Sequence, residues 1–192
     1  SLVLAARARH LVPALALGFA CWAGFVFHGH ALAARHGFDN VERCTLVGKY
    51  LARAHPGVRS ATGPGCASSY HSTSPVIDLV GLTSSEVARA GRSVPASMLT
   101  RNWIGHERHN TEYVLSQAPA LIVFGTKFGS APLDDVRAMR AGFYAEWLLL
   151  QGAKTGQIPY DVYTPEVAPG LYWHMLRRSA PSGARTEHRR AP

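Results

Sequence analysis

Hydrophobic and polar positions divide the chain into three regimes. The first is 11-LVPALALGFACWAGFVF-27, an uncharged run flanked by Arg7, Arg9 and His10 before it and by His28, His30, Arg35 and His36 after it. Its 17 residues stand at the short edge of what crosses a hydrocarbon core of roughly 30 Å. Pro13, Gly18 and Gly24 are tolerated in membrane helices and costly in soluble ones. The run predicts a spanning helix; a signal segment and a buried soluble helix are the alternatives. It exceeds the ordinary apolar core of a signal peptide, and Ala31, Ala33 and Ala34 are a weak cleavage signal. Arg7 and Arg9 lie close to the run, and Arg35 follows at a distance. The positive-inside rule therefore places the amino terminus in the cytoplasm and the main domain on the extracytoplasmic side of the cell membrane.

The second regime alternates helix and strand. Asp39 or Asn40 caps a helix with Val41, Cys44, Leu46, Val47, Tyr50 and Leu51 at helical spacing, ending before 55-HPG-57. A strand over 58–62, a turn at 63-GPG-65 and a short strand or loop over 66–71 follow. Pro75 opens the apolar strand Val76 to Leu79, and Ser84 is a candidate cap for a helix to Ala90. Residues 91–110 carry turn residues without a period and predict a long loop, a place where function concentrates. About two turns of helix then lead through Pro119 to the strand Ala120 to Phe124, apolar throughout as in a sheet covered on both faces. Asp134 to Gln151 predicts one helix with Val136, Met139, Phe143, Trp147 and Leu150 on one side. A strand or loop and a terminal strand close the segment 158–176. The order predicts an α/β fold, a small layered sheet with helices packed on it, preceded by one transmembrane helix. Val76–Leu79 and Ala120–Phe124 are expected as neighbouring parallel central strands, covered by the helices Val41–Leu51 and Val136–Leu150.

The third regime, 177–192, is Pro/Ser/Arg-rich without apolar periodicity and predicts a disordered basic tail able to touch anionic lipid or polymer. The resulting organisation is a membrane helix with its flanks at 1–37, an extracytoplasmic domain at 38–176 and the tail. At 192 residues and 47% hydrophobic composition, one sizeable core is the economical reading. The chain opens on Ser1 rather than methionine, which suggests a fragment or a processed product.

The formal charge of +8 invites a nucleic-acid partner, but its distribution argues against one. Between Asp39 and Met175 there are 12 Lys/Arg against 11 Asp/Glu, and the excess sits in the flanks. A nearly neutral domain lacks the electrostatic footprint that nucleic acid requires. No G-x-S-x-G, H-E-x-x-H or cysteine–histidine signature appears, which disfavours a secreted hydrolase. Neither a metal nor another cofactor is expected: His106 and His109 have helical spacing, but in a loop and without a third ligand. Cys44 and Cys66 are the pair open to a disulfide in an oxidising compartment, with two unrelated thiols as the alternative. Asp78 interrupts an apolar strand. A buried carboxylate needs donors, and Arg89 or backbone N–H groups around Gly81 would tie the strand to the following turn; the alternative is substrate contact. Trp103 and His106 are candidate sugar contacts in the long loop.

The combination 75-PVIDLVGLT-83 with Val87-Ala88-Arg89, then Gly105-His106, then Tyr113-Val114-Leu115 with Pro119 and Leu121-Ile122-Val123 resembles the extracytoplasmic carboxyl-terminal domain of polytopic GT-C glycosyltransferases. These bacterial membrane enzymes use polyprenyl-phosphate sugars and include arabinofuranosyltransferases and mannosyltransferases of the cell envelope. The resemblance covers about Val41 to Phe124. It implies the soluble end of a glycosyltransferase, with polyprenyl-phosphate sugar or cell-wall glycan as partner. In that family the catalytic base and the lipid-phosphate site lie in membrane-proximal loops that have no counterpart here, so no catalytic residue is assigned. A membrane-anchored binding or assembly module without enzymatic activity is the rival.

Overall fold

The computed structural model describes residues 2–63, 67–98 and 107–180, with the side chains at 2–16, 29–39, 67 and 126 left aside. Residues 1–41 and 42–192 form separate units. The helix α1 runs over Leu2–Ala54. In the first unit it exposes Leu17, Phe19, Trp22, Phe25 and Phe27. Among the described residues no helix is long and apolar enough to cross a membrane. The uncharged run from Leu11 to Phe27 lies within this helix and extends about 26 Å at 1.5 Å per residue.

The second unit is built on a mixed six-stranded sheet. Three short parallel strands are β1 (Ser60–Thr62), β2 (Val76–Asp78) and the start of β5 (Leu121–Gly129). Strands β6 (Tyr160–Tyr163), β7 (Glu166–Ala168) and β8 (Leu171–Arg178) add an antiparallel half, in the order β2-β1-β5-β8-β6 with β7 also paired to β8. Side chains alternate across β5 as the pleat requires. Leu121 and Val123 meet Cys44, Val47 and Leu51 of α1, while Ile122 and Phe124 meet Leu149 and Leu150 of the helix α5 (Tyr144–Lys154). The sheet therefore has a helical layer on each face. Each fully buried Leu, Ile or Phe contributes about 1.5–3 kcal/mol.

Five expectations are corrected. The strands Val76–Leu79 and Ala120–Phe124 are not neighbours: β1 lies between them, and β2 is the edge strand. The strand expected over 58–62 is present as β1, and all three of its residues are buried, Ser60 and Thr62 included. Residues 67–72 form the helix α2 (Ala67–Ser72), not a strand or loop. It approaches α1 so closely that a Cβ on Gly48 would sit 2.7 Å from the Ser68 carbonyl. The long loop is pinched by a two-residue pair, β3 (Arg92–Ser93) against β4 (Arg108–His109). The terminal strand extends to Arg178, taking two residues from the expected tail.

The fifth correction matters most for the site. The helix expected over Asp134–Gln151 is split into a 3-10 turn at Val136–Ala138 and α5, with extended backbone at Met139 and Phe143. Asp135 opens the first piece as its cap, accepting the Arg137 N–H at 2.8 Å. Glu146 opens the second by accepting the N–H groups of Gly142 and Phe143 at 2.8 and 3.2 Å. A glutamate at the third helical position reaching back to the cap is a standard way to begin a helix. Two local starts outweigh one continuous stripe.

Candidate functional site

The carboxyl ends of β1, β2 and β5 lie at one edge of the sheet. The chain passes from β1 to β2 on one side and reaches β5 on the other, so the strand order reverses between β1 and β5. In open α/β sheets that reversal opens the crevice where ligands bind. Here it is filled from within. Pairing of β5 with β8 breaks between Val123 and Phe128. Such a bulge frees backbone groups that burial obliges something to satisfy. Glu146 Oε1 accepts the Gly125 N–H at 2.6 Å, and Trp173 Nε1 donates to the Phe124 carbonyl at 2.7 Å.

Glu146 is fully buried, with a Cβ on Gly63 placed only 2.8 Å from Oε1. Burial pushes its carboxyl up to about 7, against the opposing pull of three N–H donors and of Lys127. Lys127 and the half-buried His174 lie on the same side, and burial, aided by Lys127, holds His174 below its usual value. With three N–H groups on its two oxygens and no exposure, Glu146 is a fastener joining α5 to the bulge.

Asp78 has a similar position at the end of β2. It is fully buried, accepts the Val80 N–H at 3.0 Å and the Thr83 N–H at 2.8 Å, and receives the Thr83 hydroxyl at 3.3 Å. Arg89 is exposed and is not among these partners. Ser84 precedes the helix α3 (Ser85–Ala90), but its hydroxyl accepts the Asp78 N–H instead of capping. Gly81 has φ +83°, and a Cβ there would meet the Ala88 nitrogen at 2.9 Å. The turn after β2 can thus close on α3 only with glycine.

Beside this edge, the amino end of α5 borders an open cleft of about 330 Å³. Met98, Met139, Arg140, Tyr144, Trp147 and Lys154 are among its walls. The Tyr144 and Trp147 rings stack at 5.7 Å and 17°, and the edge of His109 meets Tyr144 at 5.0 Å. His109 is buried, with no hydrogen-bond partner for Nδ1 among the described residues, and burial holds it below its usual value. Trp147, expected in the core stripe, is 39% exposed.

Trp103, His106 and Cys66 lie outside the described residues, while Cys44 is buried against the α1 face of the sheet. Among the described residues no cluster of three or more His, Cys, Asp or Glu is arranged to hold a metal. Sequence reasoning missed Glu146, Tyr144 and the cleft. The available signal was Gly142 four residues ahead of a lone carboxylate in the apolar stretch 145-AEWLLL-150.

Residues 35–168 match the family described as Domain of unknown function (DUF8728), and the chain belongs to that family. No curated protein and no solved structure matches it.

Proposed function

We propose that the chain is the membrane-tethered, extracytoplasmic soluble part of a polyprenyl-phosphate-sugar-dependent glycosyltransferase system of cell-envelope assembly, with the transfer chemistry outside these residues. The observation that carries this reading is the turn after β2. The residues of the motif Asp78-Leu79-Val80-Gly81-Leu82-Thr83 meet specific physical demands, with Asp78 collecting the Val80 and Thr83 donors and Gly81 providing the positive φ. Among the other apolar residues of the resemblance, Val87, Val114 and Leu121–Val123 are buried, Tyr113 and Leu115 are partly buried, and Leu82 and Ala88 are exposed. A motif made of such interlocking constraints follows a shared fold more readily than chance.

Membrane attachment is part of the proposal. Leu17, Phe19, Trp22, Phe25 and Phe27 present large apolar side chains to the surroundings of α1. A bilayer offers the apolar environment that such a surface requires. A membrane-anchored binding or assembly module without enzymatic activity is the second reading, favoured by the open cleft beside α5.

The test is cysteine labelling in intact cells. With the native cysteines replaced by serine, Ser130→Cys on the exposed loop after β5 should react with a membrane-impermeant maleimide. Reaction only after permeabilisation would refute the extracytoplasmic placement, and release of the chain from membranes by carbonate would refute the anchored helix.

A further inference from the structure

We propose that the cleft at the amino end of α5 binds a glycosyl group bearing an anionic substituent, a phosphate or a carboxylate. The sugar rests on the glycosyltransferase reading above; the anionic substituent rests on the cleft alone.

Three features converge there. The first is the aromatic wall. Tyr144 and Trp147 are one helical turn apart on α5, a spacing that ordinarily serves the core. Instead, the two rings stack on each other, Tyr144 is backed by the buried His109, and Trp147 remains 39% exposed at the cleft. A rigid, partly exposed aromatic face offers contact area at little entropic cost and suits the apolar face of a sugar ring. The second is charge. Arg140 and Lys154 line the cleft, and no carboxylate does so among the described residues. Lys154 is partly buried, its Nζ 3.5 Å from the Met139 carbonyl, so its ammonium is held at the wall. The one ion pair given by the described residues, Arg92 with Glu112, does not involve these cations. An arginine fork together with a held ammonium fits phosphate or carboxylate oxygens. The third is polarity and size. Gln151 adds an amide to the wall. The volume of about 330 Å³ lies at the small end of ligand sites, enough for a one- or two-ring ligand. The cleft runs along α5 from Tyr144 to Lys154, so neither end of the helix dipole dominates it. Glu146 takes up the Gly142 and Phe143 N–H groups, so the side-chain cations carry the anion.

The test uses the full chain in nanodiscs, titrated by calorimetry with glucose 6-phosphate, glucuronate, glucose and inorganic phosphate. At least one charged sugar should bind about tenfold more tightly than both glucose and inorganic phosphate, a difference of about 1.4 kcal/mol. Whichever charged sugar binds better identifies the substituent. Trp147→Ala should weaken that binding about tenfold, with Trp147→Phe restoring most of it. Arg140→Gln should reduce the charged sugar to the affinity of glucose. Both surface variants should keep the wild-type melting temperature within a few degrees, and Trp147→Leu with Arg140→Met, which likewise remove the ring and the charge, replaces them if they do not. Equal binding of glucose, equal binding of phosphate alone, unchanged binding by Trp147→Ala, or no binding of any probe up to about 10 mM overturns the proposal. Because the membrane-topology labelling involves no ligand, failure of one reading is distinguishable from failure of the other.

Discussion

Replacing Glu146 by glutamine should abolish one component of the pH dependence of stability, and its size follows from the site. The carboxyl is fully buried and its folded pKa is raised from 4.5 to about 7. A raised carboxyl holds its proton more tightly in the folded chain than in the unfolded one. Its contribution is therefore complete below pH 4.5 and is lost as pH rises toward about 7. At about 1.4 kcal/mol for each pH unit between the two values, the loss approaches about 3 kcal/mol. The histidines His55, His109 and His174 act in the opposite direction: burial lowers all three, so they destabilise the fold as pH falls below 6.5. Only the difference between wild type and variant isolates the glutamate. Urea denaturation of both proteins at several values from pH 4.5 to 8 should show that difference shrinking by about 3 kcal/mol as pH rises. Glu146→Gln loses part of the acceptor set at every pH, which offsets the whole curve without altering its slope. A difference independent of pH would mean that the N–H donors balance burial and leave the carboxyl near 4.5 in the folded chain, and one that grows with pH would mean that they outweigh it.

Asp78→Ala should destabilise the domain by about 1–3 kcal/mol for each buried donor left unpaired, with Asp78→Asn milder because one amide oxygen remains; urea midpoints measure both. Gly81→Ala should cost about 1–3 kcal/mol, since it adds a clash with Ala88 to an unfavourable positive φ, and thermal melting reads it. His109→Phe should flatten part of the loss of stability below pH 6.5, because a neutral ring replaces one whose charged form burial disfavours; an unchanged acid limb would show that His109 gains water or a counter-ion on protonation.

The layered α/β class was legible because Leu121–Phe124 is apolar at consecutive positions and the helix ending at Ala54 carries its apolar residues at helical spacing. Strand order was not legible. A strand over 58–62 is predicted, but Ser60 and Thr62 give no hydrophobic signal that it separates β2 from β5, because a short strand covered on both faces can carry small hydroxyl residues where hydrophobic pattern expects Val or Ile. The break before α5 was hidden for the opposite reason. Val136, Met139, Phe143, Trp147 and Leu150 fit a single helical stripe, and periodicity alone does not register that the Glu146 carboxylate takes up the N–H groups of Gly142 and Phe143 to begin a helix there. That same stripe assigned Trp147 to the core. The exposed aromatic wall became visible only once the chain direction changed at Gly142. Asp78 was recognisable as an oddity in an apolar strand, and the turn residues around Gly81 were the correct neighbourhood for its donors; which donors it uses depends on the turn geometry, and the exposed Arg89 is not among them.

The most direct measurement of the central claim is sugar transfer itself. Membranes from cells producing the chain, and from cells in which its coding segment is deleted, are supplied with a radiolabelled polyprenyl-phosphate sugar, and incorporation into envelope polymer is followed. The account predicts that deletion markedly reduces incorporation and that restoring the chain recovers it, while Asp78→Ala, which loosens the turn after β2, restores it only in part. Unchanged incorporation in the deleted strain with every polyprenyl-phosphate sugar supplied would contradict the account.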